Sequence, residues 1–358
     1  MAERTPLSCD NITRSHQSAE GPGRRILVLT GDHRLPDLTK PGHRYNEEDL
    51  VAHRAMQDAL GTLRGLSFEF CNDHPRLLDT LKGAPPDLVV NFCDTGYCNV
   101  AAQELHVPAL LELLGIPYTG APPACMALCY DKQAVRLLAE AQGIAVPREV
   151  FLEPSASPDL TGAAWPALIK PNQADGSLGI TRDAVVRSEK EACAYIEWAR
   201  RELPGRALLV QEYLPGAEYG IGLVGNPGDE LMALPVLEVD FSGLPPGLSP
   251  ILSYESKTVP SSPYWSEIRF RAASLDPAMH DRMIADAGRL FARLGCRDYA
   301  RFDFRVGADG TARLMEVNPN PAWGYDGKLA LMAGFAGISY AGLLEMILNA
   351  ALRRLGTG

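Results

Sequence analysis

Between residues 299 and 323 the chain reads YARFDFRVGADGTARLMEVNPNPAW, and Phe302, Phe304 and Val306 alternate with Arg301, Asp303 and Arg305. A period of two predicts a strand with one apolar face. Gly307-Ala308-Asp309-Gly310 then predicts the turn of a hairpin whose second strand runs from Arg313 to Val317. Pairing sets Arg301 opposite or diagonal to Glu316, and Asp303 near Leu314 and Glu316. Arg301, Asp303, Glu316 and Asn318 then share one face, with carboxylates roughly 5 to 8 Å apart. The phenylalanines, Met315 and Val317 are expected to point into a core.

Elsewhere, short apolar runs and helical periods take turns. Residues 24–30 (RRILVLT), ending at Gly31, read as a buried first strand of a parallel sheet. A helix at 47–63, a strand at 66–71, a short helix and a strand at 87–93 continue it, and this βαβα order predicts a doubly wound N-terminal domain. A helix at 101–114, stopped by Gly115 and Pro117, leads to an extended path at 116–120. Asp131 is the expected N-cap of a helix to Gln142, with Gly143 as its stop. Strands at 167–170, 208–214 and 219–224 flank a loop at 172–179 and a helix at 188–203. Asp276-Pro277 opens a helix to Leu294, with Met279, Met283, Ala287 and Leu290 inward, and a helix at 339–355 closes the chain. The expected division is a flexible arm (1–23), an α/β domain (24–122), a central subdomain (123–213) and a C-terminal subdomain (214–358).

Composition narrows the class. With 358 residues, 46% hydrophobic and 22% charged, the chain is of ordinary globular character, and no apolar run approaches the ~18 residues of a membrane span. A net charge of -10 without a basic stripe argues against nucleic acid. The first 23 residues lack the apolar middle of a signal peptide, so a cytoplasmic location is expected. The eight cysteines are irregularly spaced and read as small buried hydrophobes.

The polar residues supply candidate chemistry. Two carboxylates and an amide oxygen above an apolar layer repel one another unless a cation lies between them. Hard oxygen donors suit Mg²⁺ with phosphate oxygens, although a solvated edge hairpin has the same pattern. Lys132 lies in a first helical turn, whose dipole attracts anions. Lys170-Pro171 precedes the glycine-containing loop NQADGSLG, whose backbone N–H groups can fold over phosphates, or which is a surface turn. Glu212, in an apolar strand, needs a donor: an adenine amine, ribose hydroxyls, or a nearby Lys or Arg. GIGLVG at 220–225 matches GxGxxG but runs into an Asn-Pro-Gly-Asp turn and not a helix, which rejects a dinucleotide site.

Taken in order, Lys132, Lys170-Pro171, Gly176-Ser-Leu-Gly179, Glu212-Tyr-Leu214, Glu218, Tyr254-Glu-Ser-Lys257, Arg301-Phe-Asp303 and Glu316-Val-Asn318 resemble the ATP-grasp superfamily. The resemblance is closest to the D-alanine–D-alanine ligase branch and runs from about Arg24 to the end. It implies an ATP-grasp fold, mixed α/β and α+β, behind a doubly wound parallel sheet. It also implies that Lys132, Lys170 and Lys257 contact ATP phosphates, that Glu212, Tyr213 and Leu214 flank adenine, and that Glu218 binds ribose. Asp303, Glu316 and Asn318 would hold a pair of Mg²⁺ ions, with Mn²⁺ able to substitute, and Arg301, Lys257 and Ser177 would form the catalytic set. Such enzymes phosphorylate a carboxylate, release ADP, and let an amine attack the acyl phosphate. The relatives' habit of pairing suggests a homodimer.

The substrate-facing segments depart from that pattern. D-alanine ligases carry a Glu-containing loop and a His-Gly-x-x-Gly-Glu-Asp-Gly stretch where this chain has Asp32-His33-Arg34 and Phe92-Cys93-Asp94-Thr95-Gly96-Tyr97. Asn320-Pro321-Ala322-Trp323 replaces Ser-Pro-Gly-Met, and Gly176 replaces the first of two loop serines. The expectation is a ligase for other amino acids or a specialised metabolite, with small-molecule carboxylate and amine substrates contacted by His33, Arg34, Asp94, Tyr97 and Trp323. The alternatives are a D-alanine–D-alanine ligase proper and a non-catalytic ATP-binding regulatory module.

Overall fold

The run RRILVLT forms the central strand, Arg24–Thr30, of a three-stranded parallel sheet in the computed structural model, which describes residues 24–356. The arm expected at 1–23 lies outside the described residues. Leu66–Cys71 pairs on one side and Leu88–Phe92 on the other. Ile26 and Val28 pack with Met56, Leu60 and Phe92 on one face, while Leu27 and Leu29 pack with Leu77, Val89 and Leu111 on the other. Burial on both faces is why the strand is apolar without alternation.

One expectation in this region needs correction. The helix expected at 101–114 is a 3-10 turn, Ala101–Gln103, followed by a helix His106–Leu113. Pro108 has no N–H and its ring clashes with the preceding turn, so a regular helix can hold it only near its start. The extended path expected at 116–120 makes one parallel bridge, Val89 to Tyr118.

A second, antiparallel sheet orders Glu149–Leu152, Leu208–Glu212, Ala167–Pro171 and Val185–Val186. Helix Glu189–Glu202, capped by the Ser188 hydroxyl on the Glu191 N–H, covers it with Ala192, Tyr195, Ile196 and Ala199. The third sheet runs Arg269–Ala272, Leu237–Asp240, Glu218–Val224, Tyr299–Val306 and Ala312–Asn318, with Met232–Ala233 on the edge of Glu218–Val224. Helix Pro277–Leu294 starts at the Asp276 cap and ends at Gly295, which takes the left-handed conformation that glycine tolerates. Its Met283, Ala287, Leu290 and Phe291 meet Ile221, Phe302 and Phe304 beneath this sheet.

The hairpin has a bulge. Arg301 opposes Asn318 and Asp303 opposes Glu316, but Phe304 opposes Leu314. The extra residue is Met315, so Leu314 takes the core position and Met315 turns to the polar side, reversing the inward placement expected for Met315.

Above the same sheet sits the helix Lys328–Phe335, which the sequence pattern did not reveal because its apolar residues surround it almost evenly. The rejected GxGxxG stretch explains how it fits. A Cβ on Gly220 would lie 2.9 Å from the Met332 methyl, and one on Gly222 would lie 2.6 Å from Leu329. These glycines serve helix–sheet contact, not a dinucleotide. No single described helix is long and apolar enough to cross a membrane.

Gly222→Val should therefore overpack this layer and cost about 1–3 kcal/mol. Urea denaturation reads the loss, and an unchanged midpoint would remove the close-approach explanation.

Candidate active site

Between the second and third sheets opens a cleft of about 590 Å³. Lys132, Lys170, Lys257, Lys328, Arg301 and Arg305 line it, together with the carboxylates Asp303, Glu316 and Glu218. Around Asp303 and Glu316 the cations outnumber the carboxylates, inside a protein whose net charge is -10, although the full lining, with Lys40, Asp94, Glu104, Asp175 and Asp326, carries seven groups of each sign. A polyanion such as a triphosphate answers that excess.

Each cation is placed by regular structure. Lys170 ends the strand Ala167–Pro171 and is 3% exposed; burial pulls its ammonium below the usual range, against the nearby Glu316. Lys132 opens the helix Lys132–Ala141, whose cap is Asp131 accepting from the Ala134 N–H. Its Nζ donates to the Ala174 carbonyl and lies 3.9 Å from Glu316. The Asn172 side chain accepts from the Gln133 N–H at 2.9 Å, fastening the glycine-containing loop to this helix. Lys257 is on the short helix Glu255–Thr258, and burial brings its ammonium down to about 8.

Around Asp303 the charges interlock. Arg301 donates to both carboxylate oxygens, Nε to Oδ1 at 2.8 Å and Nη2 to Oδ2 at 2.9 Å. Asn318 donates to Oδ2 at 3.3 Å and Lys328 stands 3.8 Å away. Burial alone would raise the Asp303 carboxyl, but Arg301 and Lys328 outweigh it and hold the carboxyl at about 2. Glu316 is held below its ordinary value in the same way, burial being overcome chiefly by Lys132. Both groups are carboxylates at neutral pH.

The remaining expected nucleotide contacts are more dispersed. Arg305 reaches Glu218 at 3.1 Å and lies over the rings of Tyr213 and Phe241, 5.2 and 5.4 Å from their centroids. Tyr213 thus borders the cleft through Arg305. Glu212 accepts from the Arg148 N–H at 3.2 Å, and Leu214 is buried; neither forms part of the cleft wall. Ser177 does line it, with its hydroxyl donating to the Leu252 carbonyl at 2.8 Å.

Among the expected substrate contacts, Asp94 lines the cleft, and burial raises its carboxyl to about 6. The other four do not line it. His33 Nε2 meets His53 Nε2 at 2.7 Å, and burial, then His53, brings His33 down to about 4. Trp323 packs between His53 and Phe92, and Tyr97 stacks on His74. Arg34 donates to both oxygens of buried Asp32, at 2.9 and 2.7 Å, and pairs with Asp73 at 2.9 Å.

Lys328, Arg305, Glu104 and Asp175 escaped the sequence reading. Arg305 was accessible to it, because continuing the alternation from Arg301 and Asp303 puts it on the same face. Lys328 gave no signal beyond being the charge that opens an apolar run.

With this geometry in place, similarity to known proteins becomes informative. Residues 143–349 match the family described as D-ala D-ala ligase C-terminus. The chain belongs to the D-alanine–D-alanine ligase family. It is 30% identical over 269 residues to the vancomycin B-type resistance protein VanB of Enterococcus faecalis, covering 73% of this chain and 75% of that protein. It is 31% identical over 274 residues to the D-alanine–D-alanine ligase of Halalkalibacterium halodurans, covering 75% and 84% of the two chains. The crystal structure of the Bacillus anthracis D-alanine–D-alanine ligase complexed with ATP superposes with a TM-score of 0.69 over 94% of this chain and all of that one. At 21% identity that likeness speaks for the ATP-grasp fold. As a member of this family the protein is an ATP-dependent, ADP-forming ligase that makes an amide bond.

Two outcomes separate site from scaffold. Lys170→Met should weaken binding of a fluorescent ATP analogue by roughly tenfold or more, the loss of a charge-assisted hydrogen bond of about 1.5–3 kcal/mol. Arg34→Ala should leave that affinity unchanged while lowering stability by about 1–3 kcal/mol, because it strips buried Asp32 of its partner. Loss of nucleotide affinity in the Arg34 variant would contradict this division.

Proposed function

We propose that the cleft holds ATP by its phosphates on Lys132, Lys170, Lys257 and the backbone of loop 172–179, and joins a small-molecule carboxylate to an amine. The observation that carries this reading is the positive excess around the facing Asp303 and Glu316. Lys328, at the opening of its helix, adds to the charge that opposes the phosphates. Glu218 accepts from the ribose hydroxyls, and Glu212 and Leu214 border the adenine from beyond Tyr213. We keep the division into 24–122, 123–213 and 214–358 as part of this proposal, and the one sheet in each stretch supports it.

Asp303, Glu316 and the Asn318 amide present only hard oxygen donors on adjoining strands, a set that fits Mg²⁺. When bound, such ions gather the phosphate oxygens and offset charge on the transferred group. The protein's own residues orient the reactants. Arg301, now engaged by Asp303, turns part of its donor fork to the reacting carboxylate. That carboxylate oxygen attacks the γ-phosphorus, its bond to ADP breaks, and an acyl phosphate forms. Ser177 and its loop exclude water from the acyl phosphate. The amine nitrogen then attacks the acyl carbon, loses a proton, and phosphate departs. No protein nucleophile takes part, and positioning with electrostatic stabilisation supplies the rate.

Substrate choice follows from the departures at 32–34, 92–97 and 320–323, so the carboxylate and amine are not a pair of D-alanines. A phosphate-release screen of carboxylate and amine pairs with ATP and Mg²⁺ tests this; robust D-alanyl-D-alanine formation would overturn the specificity, and AMP with pyrophosphate would overturn the acyl phosphate. Glu316→Gln should abolish turnover with an unaltered circular dichroism spectrum, and retained turnover would refute its place in the metal site.

A further inference from the structure

Away from the phosphate end the same cleft changes sign. Asp94 and Glu104 line it there, and Asp175, in the glycine-containing loop, lies between Glu104 and the groups Lys132, Glu316 and Lys257 of the phosphate end. Burial raises the Glu104 carboxyl well above its ordinary value, and the charges of Asp175 and Asp94 push it in the same direction. Asp175 and Asp94 are raised as well, chiefly by burial. Asp37, 2% exposed, sends its field onto Asp94 and Lys40, and its Oδ2 has no partner.

Asn320 donates to Glu104 at 2.8 Å, but positive charge to match Asp94 and Glu104 is scarce. Lys40 lines this end, but its ammonium is held 2.6 Å from Asp49. Lys132 and Lys257 act on Asp175 from the phosphate end, where they face the nucleotide, and Arg206 acts on it more weakly. His33 and His53 are both pulled below their ordinary range by burial, so neither adds charge at neutral pH.

The surroundings suit an organic cation better than a metal ion. Among the described residues, no three His, Cys, Asp or Glu side chains converge tightly enough to hold a metal. Met126, Cys129 and Tyr130 line the cleft here, and Glu104 acts on both Cys129 and Tyr130. From outside the lining, the Trp323 indole N–H points at Asp94, with Phe92 stacked behind the ring. Spread carboxylates beside a soft, largely apolar wall accommodate an alkyl stem ending in an ammonium group.

We propose that one of the two substrates carries a second ammonium group, as a diamino acid does, and that this group seats among Asp94, Glu104 and Asp175. The inference rests on the ligase reading above. With the reacting carboxylate on Arg301, a neutral amino acid offers one ammonium to these acidic groups, whereas a diamino acid offers two.

The test uses the full chain with ATP and Mg²⁺ and compares lysine, ornithine and 2,4-diaminobutyrate, in both enantiomers, with norleucine, norvaline and 2-aminobutyrate as uncharged counterparts. ADP release is expected to favour the diamino acids at least tenfold in kcat/KM, and Glu104→Gln should erase most of that preference through KM. Turnover of the neutral compounds at equal or higher efficiency would overturn the inference and leave the ligase reading intact. Calorimetric titration of the same six compounds in the presence of a non-hydrolysable ATP analogue reads the pocket without chemistry. Tighter binding of the diamino acids there upholds the inference even if no pair turns over, which would count against the ligase reading alone. Equal or absent binding overturns the inference.

Discussion

The fork of hydrogen bonds from Arg301 to Asp303 is the constraint on which this molecule turns. Both side chains are largely buried, and burying charge is costly unless geometry and further hydrogen bonds offset the lost hydration. The offset here comes from position. Residues two apart on one strand project to the same side, and the strand that carries them is paired on both edges, with Glu218–Val224 and with Ala312–Asn318. Its opposite face, Phe302 and Phe304, is fully packed against the helix Pro277–Leu294. A rigid backbone with an apolar underside leaves the charged pair no alternative arrangement, and Glu316, Asn318 and Lys328 gather round it.

Charge is partitioned along the cleft rather than averaged. One strand lysine (Lys170), two lysines at helix starts (Lys132, Lys328) and one on a short helix (Lys257) surround the Asp303–Glu316 pair, while Asp94 and Glu104 line the cleft away from it. Each lysine comes from a different element, so the positive end forms only when the second and third sheets face each other. The acidic groups likewise come from separate parts, Asp94 from beyond the parallel strand Leu88–Phe92 and Glu104 from the segment before helix His106–Leu113. The contact between these parts is maintained in part by buried Asp298, which accepts from the Gly120 N–H at 2.8 Å and from Arg354 of the last helix.

Much of this was legible in the chain. The strands Arg24–Thr30 and Leu66–Cys71 and the helix beginning at Pro277 coincide with their sequence patterns, since an unbroken apolar run and a capped helical period each have one economical solution. The ordered set from Lys132 to Asn318 pointed to the family because the motif order is retained. The helices Pro123–Tyr130 and Lys328–Phe335 were not legible: with apolar residues nearly all round, they show no period until neighbours bury every side. Met315 was misplaced because a bulge adds one residue and reverses all later alternation, which pattern alone does not reveal.

The sequence by itself determined the polar face of the hairpin, the lysines and the order in which they occur, because strand alternation and helix capping act over a few residues. Tertiary structure decided which of the candidate groups share a cleft. Tyr97 and Trp323 follow the same strands as Asp94 and Asn320, and His33 and Arg34 follow the neighbouring strand Arg24–Thr30, yet their partners His74, Phe92, His53 and Asp32 hold them out of the cleft. Local periodicity reports the side of an element on which a residue lies. Whether that side meets solvent, a neighbour or a substrate depends on contacts between residues far apart in the chain, and those exist only once the three sheets are packed together.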